Sequence, residues 1–188
     1  MKRFFIFSIL VAGFAIYSHS VQAQGKRSIG IRAGYQISGL FEGSGRLTGT
    51  SNYGSFYAGL FKEKKMLPFL HLGTGLEYCQ NGAELTGDRK QVISYLGIPV
   101  HLKAKLGPLY ALVGVQPKVK LSEKIILDGD KTSPTDEQKS KTMDFPAYGG
   151  IGFNILIVSI EARYHYSMFE TNHGARNAYL QLGATLHL

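Results

Sequence analysis

The chain has 188 residues, 44% apolar and only 18% charged, with a mean hydropathy of -0.03; a disordered tail is more charged and less apolar, so that class is excluded. Twenty-three glycines, eleven Tyr, eleven Phe and no Trp favour β-structure over a helical bundle, and the single Cys79 excludes an internal disulfide framework. The formal net charge of +8 suits contact with anionic partners; nucleic acid is not expected, because no recognition helix, zinc spacing or RNP-type motif occurs.

Residues 1–23 read as an export signal. Lys2 and Arg3 precede an apolar stretch from Phe4 to Tyr17, and Val21-Gln22-Ala23 supplies the small-residue pattern of a cleavage site. The stretch is short for a membrane-spanning helix. Cleavage after Ala23 makes Gln24 the mature start and leaves +6 of the +8 charges. No Cys lies near the cut, so a lipid-anchored N-terminus is not expected. Residues 24–188 then form one domain.

From Ser28 the residues alternate with period two, which predicts strands with two distinct faces. Ile29, Ile31, Ala33, Tyr35 and Ile37 share one face; Gly30, Arg32, Gly34, Gln36 and Ser38 share the other. The pattern recurs seven times, around 56–61, 70–79, 96–106, 109–119, 144–154, 158–167 and 179–188. Eight strands result, each near the length of a tilted bilayer crossing. The connections alternate in length. Gly39–Tyr53, Asn81–Gln91, Ser122–Thr142 and Phe169–Asn177 are expected to be long; Lys62–Leu67, Gly107-Pro108 and Asn154–Leu156 are expected to be short. Short inner turns and long outer loops are the rhythm of an up-and-down barrel in an outer membrane.

Three features place the apolar face outward. The opposite face is rich in glycine, which suits the narrow interior of an eight-stranded barrel and not a water-facing sheet. Aromatics of the apolar face (Tyr35, Phe56, Tyr78, Phe145, Tyr164, Tyr166) sit mainly near strand ends, as interfacial girdles do. That face also carries no charge in any of the eight strands. The predicted fold is therefore all-β: an eight-stranded antiparallel transmembrane barrel. A soluble periplasmic lipocalin-like binder is the alternative that period two alone leaves open.

The strings GIRAGYQISGL, SFYAGLF, YLGIPVHLKAKLGPLYALVG, IEARYHYS and AYLQLGATLHL, from about residue 26 to the end, resemble the outer-membrane β-barrel domain family often labelled porin-like or PorT-like. Small barrels of the OmpA and OmpX type share its architecture. The resemblance implies insertion by the outer-membrane assembly machinery and no defined activity; one branch is linked to a secretion system for surface proteins. Such barrels usually end on an aromatic residue, and this chain ends on Leu188, which implies a weaker insertion signal.

The inward set is expected to be a structural polar network: Arg32, Glu77, His101, Lys103, Glu161, Arg163 and Gln181, joined by Gln36, His71, Lys105, Gln116, Lys118, His165 and His187. Buried charges need partners, so ion pairs that plug the lumen are expected; a cation-lined path for small anions is the functional alternative. The histidines follow no zinc spacing. Ser167, Glu170 and His173 are the nearest approach to a hydrolase set, and a solvated loop explains them better. Gly149-Gly150-Ile151-Gly152 resembles a phosphate loop only superficially, since no helix follows. Cys79 is read as inert packing, and the Lys62-Glu63-Lys64-Lys65 turn as a solvated periplasmic corner, with contact to anionic headgroups as the alternative. No catalytic, metal or cofactor residue is expected. The expected partners are outer-membrane lipids, lipopolysaccharide and an envelope protein met through Ser122 to Thr142. The chain is expected to be a monomer with a structural or surface-interaction role, the alternative being a part of a secretion or transport machinery.

Overall fold

The computed structural model describes residues 27–42, 45–46, 50–85, 89–127, 130–132, 140–170 and 175–188. The expected signal segment lies outside the described residues. Strands form at each alternating stretch: β1 (Arg27–Glu42), β3 (Thr50–Lys65), β4 (Leu70–Leu85), β5 (Arg89–Gly97), β6 (Val100–Leu106), β7 (Leu109–Val115), β8 (Lys118–Leu127), β10 (Met143–Asp144), β11 (Pro146–Ile155), β12 (Val158–Ser167) and β13 (Arg176–His187). Two short pieces, β2 (Gly45–Arg46) and β9 (Asp130–Thr132), pair with the ends of β1 and β8. The eight wall spans are β1, β3, β4, β5 with β6, β7 with β8, β10 with β11, β12, and β13.

The sheet closes on itself. The ladder runs from Ser28 through Glu63, Gly73, His101, Gly114, Tyr148, His165 and Tyr179, and returns to β1 at Ser38, ten residues above its start. That offset sets the strand tilt of a closed barrel, and closure leaves no open edge for lipid to meet.

Three neighbouring spans carry a proline at adjoining rungs, namely Pro99, Pro117 and Pro146. Their carbonyls accept from Gly75, Ile98 and Gln116 at 3.1, 2.9 and 2.9 Å. None can donate the return bond, so the strand assignment breaks there while the register stays in step.

Burial is inverted relative to a water-soluble domain. The outward face is apolar and open: Ile31 is 47% exposed, Val113 63% and Ile151 68%. The inward face buries Arg32, Lys103, Lys118, Glu161 and Arg163 almost completely. Inward Tyr, Gln and His side chains fill the space between these ions.

The turns at Gly107-Pro108 and Leu156-Ile157 are tight. Two expectations need correction. The long outer connections are shorter than the alternation suggested, because the strands continue past the apolar band: β4 and β5 take in residues 81–85 and 89–91, and β8 takes in 122–127. A strand of 16 residues exceeds the ~9–11 needed to cross, so the surplus stands above the bilayer. At the other end Lys62–Lys65 are not a corner, although Lys62 and Lys65 are exposed. They remain in β3, and Glu63 points into the lumen with 1% exposure.

Candidate functional site

The lumen is built by parity. Arg32 on β1 and Glu77 on β4 are separated in the ladder only by Gly59. A β-carbon on Gly59 would stand 3.0 Å from the Glu77 Cα, so a larger residue would wedge the two ions apart. Gly183, opposite Glu161 on β12, plays the same part at the closing seam: a β-carbon there would lie 2.5 Å from the Ala33 carbonyl oxygen.

Into the space so cleared project two arginines and two glutamates. Arg163 Nη2 lies 2.8 Å from Glu77 Oε2, and Arg163 Nε lies 3.1 Å from Glu161 Oε1. Arg32 Nε lies 3.3 Å from Glu161 Oε1, with its Nη1 3.8 Å from Glu77 Oε2. The four form a closed ring on the barrel axis with alternating charge. Neutral donors complete it. Tyr110 donates to Glu161 at 2.9 Å, and Gln116 and Gln181 donate to Glu77 at 3.0 and 3.1 Å. Gln181 also donates to Gln36 at 2.8 Å, and Gln36 to Asn81 at 2.7 Å.

Further ions cap the ring on both sides. Below it, Glu63 pairs with Lys103 and, at 3.2 Å, with Lys105; the Lys103 ammonium sits 4.3 Å from the Tyr110 ring centre. Above it, Lys118 pairs with Asp144 at 3.2 Å and lies over the rings of Tyr95 and Tyr179. Tyr179 in turn donates to Gln116 at 3.1 Å. His165 is stacked between Tyr148 and Tyr179, with ring centres 4.5 and 4.3 Å away.

Of the seven residues singled out in sequence, Arg32, Glu77, Glu161, Arg163 and Gln181 meet at this ring. Lys103 belongs to the Glu63 group below it. His101 bonds the Tyr148 hydroxyl through Nδ1 at 3.0 Å. Sequence reasoning left Glu63, Asp144, Tyr110 and Tyr179 out of the polar set; Glu63 shares the parity of Tyr57 and Phe61, which was the available signal. The histidines stand apart, and among the described residues no three His, Cys, Asp or Glu side chains converge as metal ligands. Ser167 is buried, Glu170 is exposed, and His173 lies outside the described residues. Gly149–Gly152 are strand β11, and Cys79 is buried beside Tyr57, Ile93 and Tyr95.

At the outer end one carboxylate gathers several groups. Glu123 accepts from Lys120 at 2.5 Å, from Gln91 at 2.7 Å, and from the Ser140 hydroxyl at 2.9 Å and backbone N–H at 3.1 Å. Lys120 also donates to the Ser140 carbonyl at 2.6 Å. This clasp ties the two ends of the segment from Ser122 to Thr142 to the wall.

A closed barrel with a greasy exterior and an ion-filled axis is accompanied by a sequence match: residues 22–171 fit the family model described as outer membrane protein beta-barrel domain. The chain belongs to this family. It is an outer-membrane protein, and its strands do the crossing. Among solved structures, Neisserial surface protein A is similar with a TM-score of 0.56 and 14% identity over 86% of this chain and 98% of that one. Ail, the attachment invasion locus protein of Yersinia pestis, crystallised with the heparin analogue sucrose octasulfate, gives 0.53 and 18% over 87% and 99%. At these identities the likeness is one of fold. No curated protein sequence matches.

Proposed function

We propose that this outer-membrane barrel is sealed and works by placement: it holds its outer strand extensions and connections at the cell surface for contact with an envelope partner. In this reading it neither conducts solute nor catalyses a reaction, and its surroundings are outer-membrane lipid and lipopolysaccharide. The observation that carries the reading is the Arg32–Glu77–Arg163–Glu161 ring, whose members are each at most 2% exposed. An eight-stranded interior is just wide enough for side chains. A solute path would require pulling these ion pairs apart, at a cost of several kcal/mol.

The Glu123 clasp supports a surface role, because it gives the segment from Ser122 to Thr142 fixed ends. Closure of the sheet favours a monomer, since no edge is left for a second copy. The polyanion bound to Ail raises the question of an acidic glycan. In sequence, the stretches that connect the spans on the outer side, 39–53, 80–94, 120–143 and 168–178, carry nine basic and nine acidic residues. With no local excess, a partner of mixed charge fits better.

Planar-bilayer recording tests the seal: the wild-type barrel is expected to give no current above the lipid baseline, and a steady single-channel current would sink it. Deleting 128–139 tests the surface role. The shortened protein should still show heat-modifiable gel migration and should lose its envelope partner in pull-downs; an unchanged pull-down refutes the role.

A further inference from the structure

The positive charge of the mature chain is unevenly placed. The outer end is balanced, and the lumen holds five basic groups (Arg32, Lys103, Lys105, Lys118, Arg163) against four acids (Glu63, Glu77, Asp144, Glu161). The surplus collects at the foot of β1 and β3, where Arg27, Lys62, Lys64 and Lys65 are found. The one acid in that stretch, Glu63, turns inward to Lys103 and Lys105.

Lys62 and Lys64 share the outward parity of Leu60, so they stand on the lipid-facing side, two residues apart. Arg27 is opposite Lys64 in the ladder. Lys62 and Lys65 are exposed and Lys64 half-exposed. None of the three pairs with a carboxylate among the described residues. Directly beside Lys62 the outer wall holds a groove of about 320 Å³, lined by Ile29, Leu60, Thr74 and Leu76. The Thr74 hydroxyl is buried there without a hydrogen-bond partner.

The rest of the same rim is apolar. Leu106 and Leu109 flank one turn; Ile155, Leu156 and Ile157 make the other, with Leu156 97% exposed. Leu156 has a φ of 55°, a left-handed conformation better suited to Gly or Asn. A bulky apolar side chain kept at such a position and fully outward fits immersion in acyl chains. The rim therefore lies where hydrocarbon gives way to phosphate, the depth at which lysines extend toward headgroups.

We infer that the foot of β1, β3 and β4 binds an anionic phospholipid of the inner leaflet. One acyl chain lies along Ile29, Leu60 and Leu76, the Thr74 hydroxyl donates to an ester oxygen, and the Lys62 and Lys64 ammonium groups hold the phosphate. This rests on the bilayer-spanning barrel with its short turns at the inner face. The larger groove on the far wall, about 800 Å³ and lined by Ala104, Ala111, Ile151, Ile160, Ala162 and Leu182, has no cation in its lining. It takes acyl chains without regard to headgroup.

The test is native mass spectrometry of the folded chain released from nanodiscs of phosphatidylethanolamine and phosphatidylglycerol. Wild type should retain phosphatidylglycerol in preference. Lys62→Gln with Lys64→Gln should lower that preference about fivefold per lysine, and Lys90→Gln with Lys124→Gln at the outer end should leave it intact. No preference in the wild type, no loss in the Lys62/Lys64 variant, or equal loss in the outer-end variant overturns the site. Should the glutamine variant not insert, Lys62→Arg with Lys64→Arg must keep the preference, and added salt must weaken it in the wild type; either failing is equally fatal. Collapse of the barrel reading looks different: the wild type would then show no heat-modifiable migration in any lipid.

Discussion

Glu77 holds more of the lumen together than any neighbour, because Arg163, Arg32, Gln116 and Gln181 all reach its two oxygens. Removing one member of a buried ion pair strands the other, which costs about 3–5 kcal/mol. Glu77→Ala should lower the midpoint of urea unfolding in lipid vesicles accordingly. Glu77→Ala combined with Arg163→Met should recover part of the loss, since the orphaned charge goes with it. Strictly additive losses would show that the ring is not energetically coupled. The members of this ring were legible in sequence because parity placed them inward. Their pairing was not, because period two carries no information on how far a side chain reaches across an axis, nor on which glycines clear the way.

The segment ends are governed at the level of strands. β8 carries Glu123 above the apolar band, among the outward-facing and exposed Lys90, Ser122 and Lys124. Burial alone would push its carboxyl up, but Lys120 and the Ser140 and Gln91 donors outweigh burial and hold it below the ordinary value of 4.5. A carboxylate depressed in the folded state stabilises above its unfolded pKa and loses that contribution as pH falls through the folded value. The clasp is therefore closed at neutral pH and opens in acid. A nitroxide at Thr142 should be immobile at pH 7 and gain mobility as the pH is lowered through the folded value, and Glu123→Gln should free it already at pH 7. Mobility independent of pH in the wild type would refute the clasp. The sequence identified all eight crossings by their alternation, yet misjudged where they stop. The polar, charged stretch Asn81–Gln91 reads as loop, whereas a neighbouring strand that supplies hydrogen bonds keeps its described residues, 81–85 and 89–91, extended beyond the lipid. Lys62–Lys65 were misread for the same reason.

For the whole molecule, the decisive property is which face meets hydrocarbon. Ile31, Leu72 and Leu182 are 47%, 38% and 49% exposed on the outer wall. Nitroxides at these three positions should be reached by oxygen and shielded from a water-soluble relaxation agent. Leu182→Arg should destabilise the inserted barrel by about 2–4 kcal/mol, measured by urea unfolding in vesicles; a neutral outcome contradicts lipid contact at that site. The net charge of the chain, read as one number, pointed to anionic partners in general. Distributed over the fold, it separates a balanced outer end from a cationic inner rim, a distinction composition cannot make.

The row of prolines has a mechanical meaning for the cylinder. At Pro99, Pro117 and Pro146 each rung between neighbouring spans is fastened once instead of twice, leaving the Gly75, Ile98 and Gln116 carbonyls without their ladder donors. A wall stitched singly along three consecutive seams yields there before it yields elsewhere. Amide hydrogen exchange is therefore expected to be faster along this arc, from β4 to β11, than along the unbroken ladder between β1 and β13.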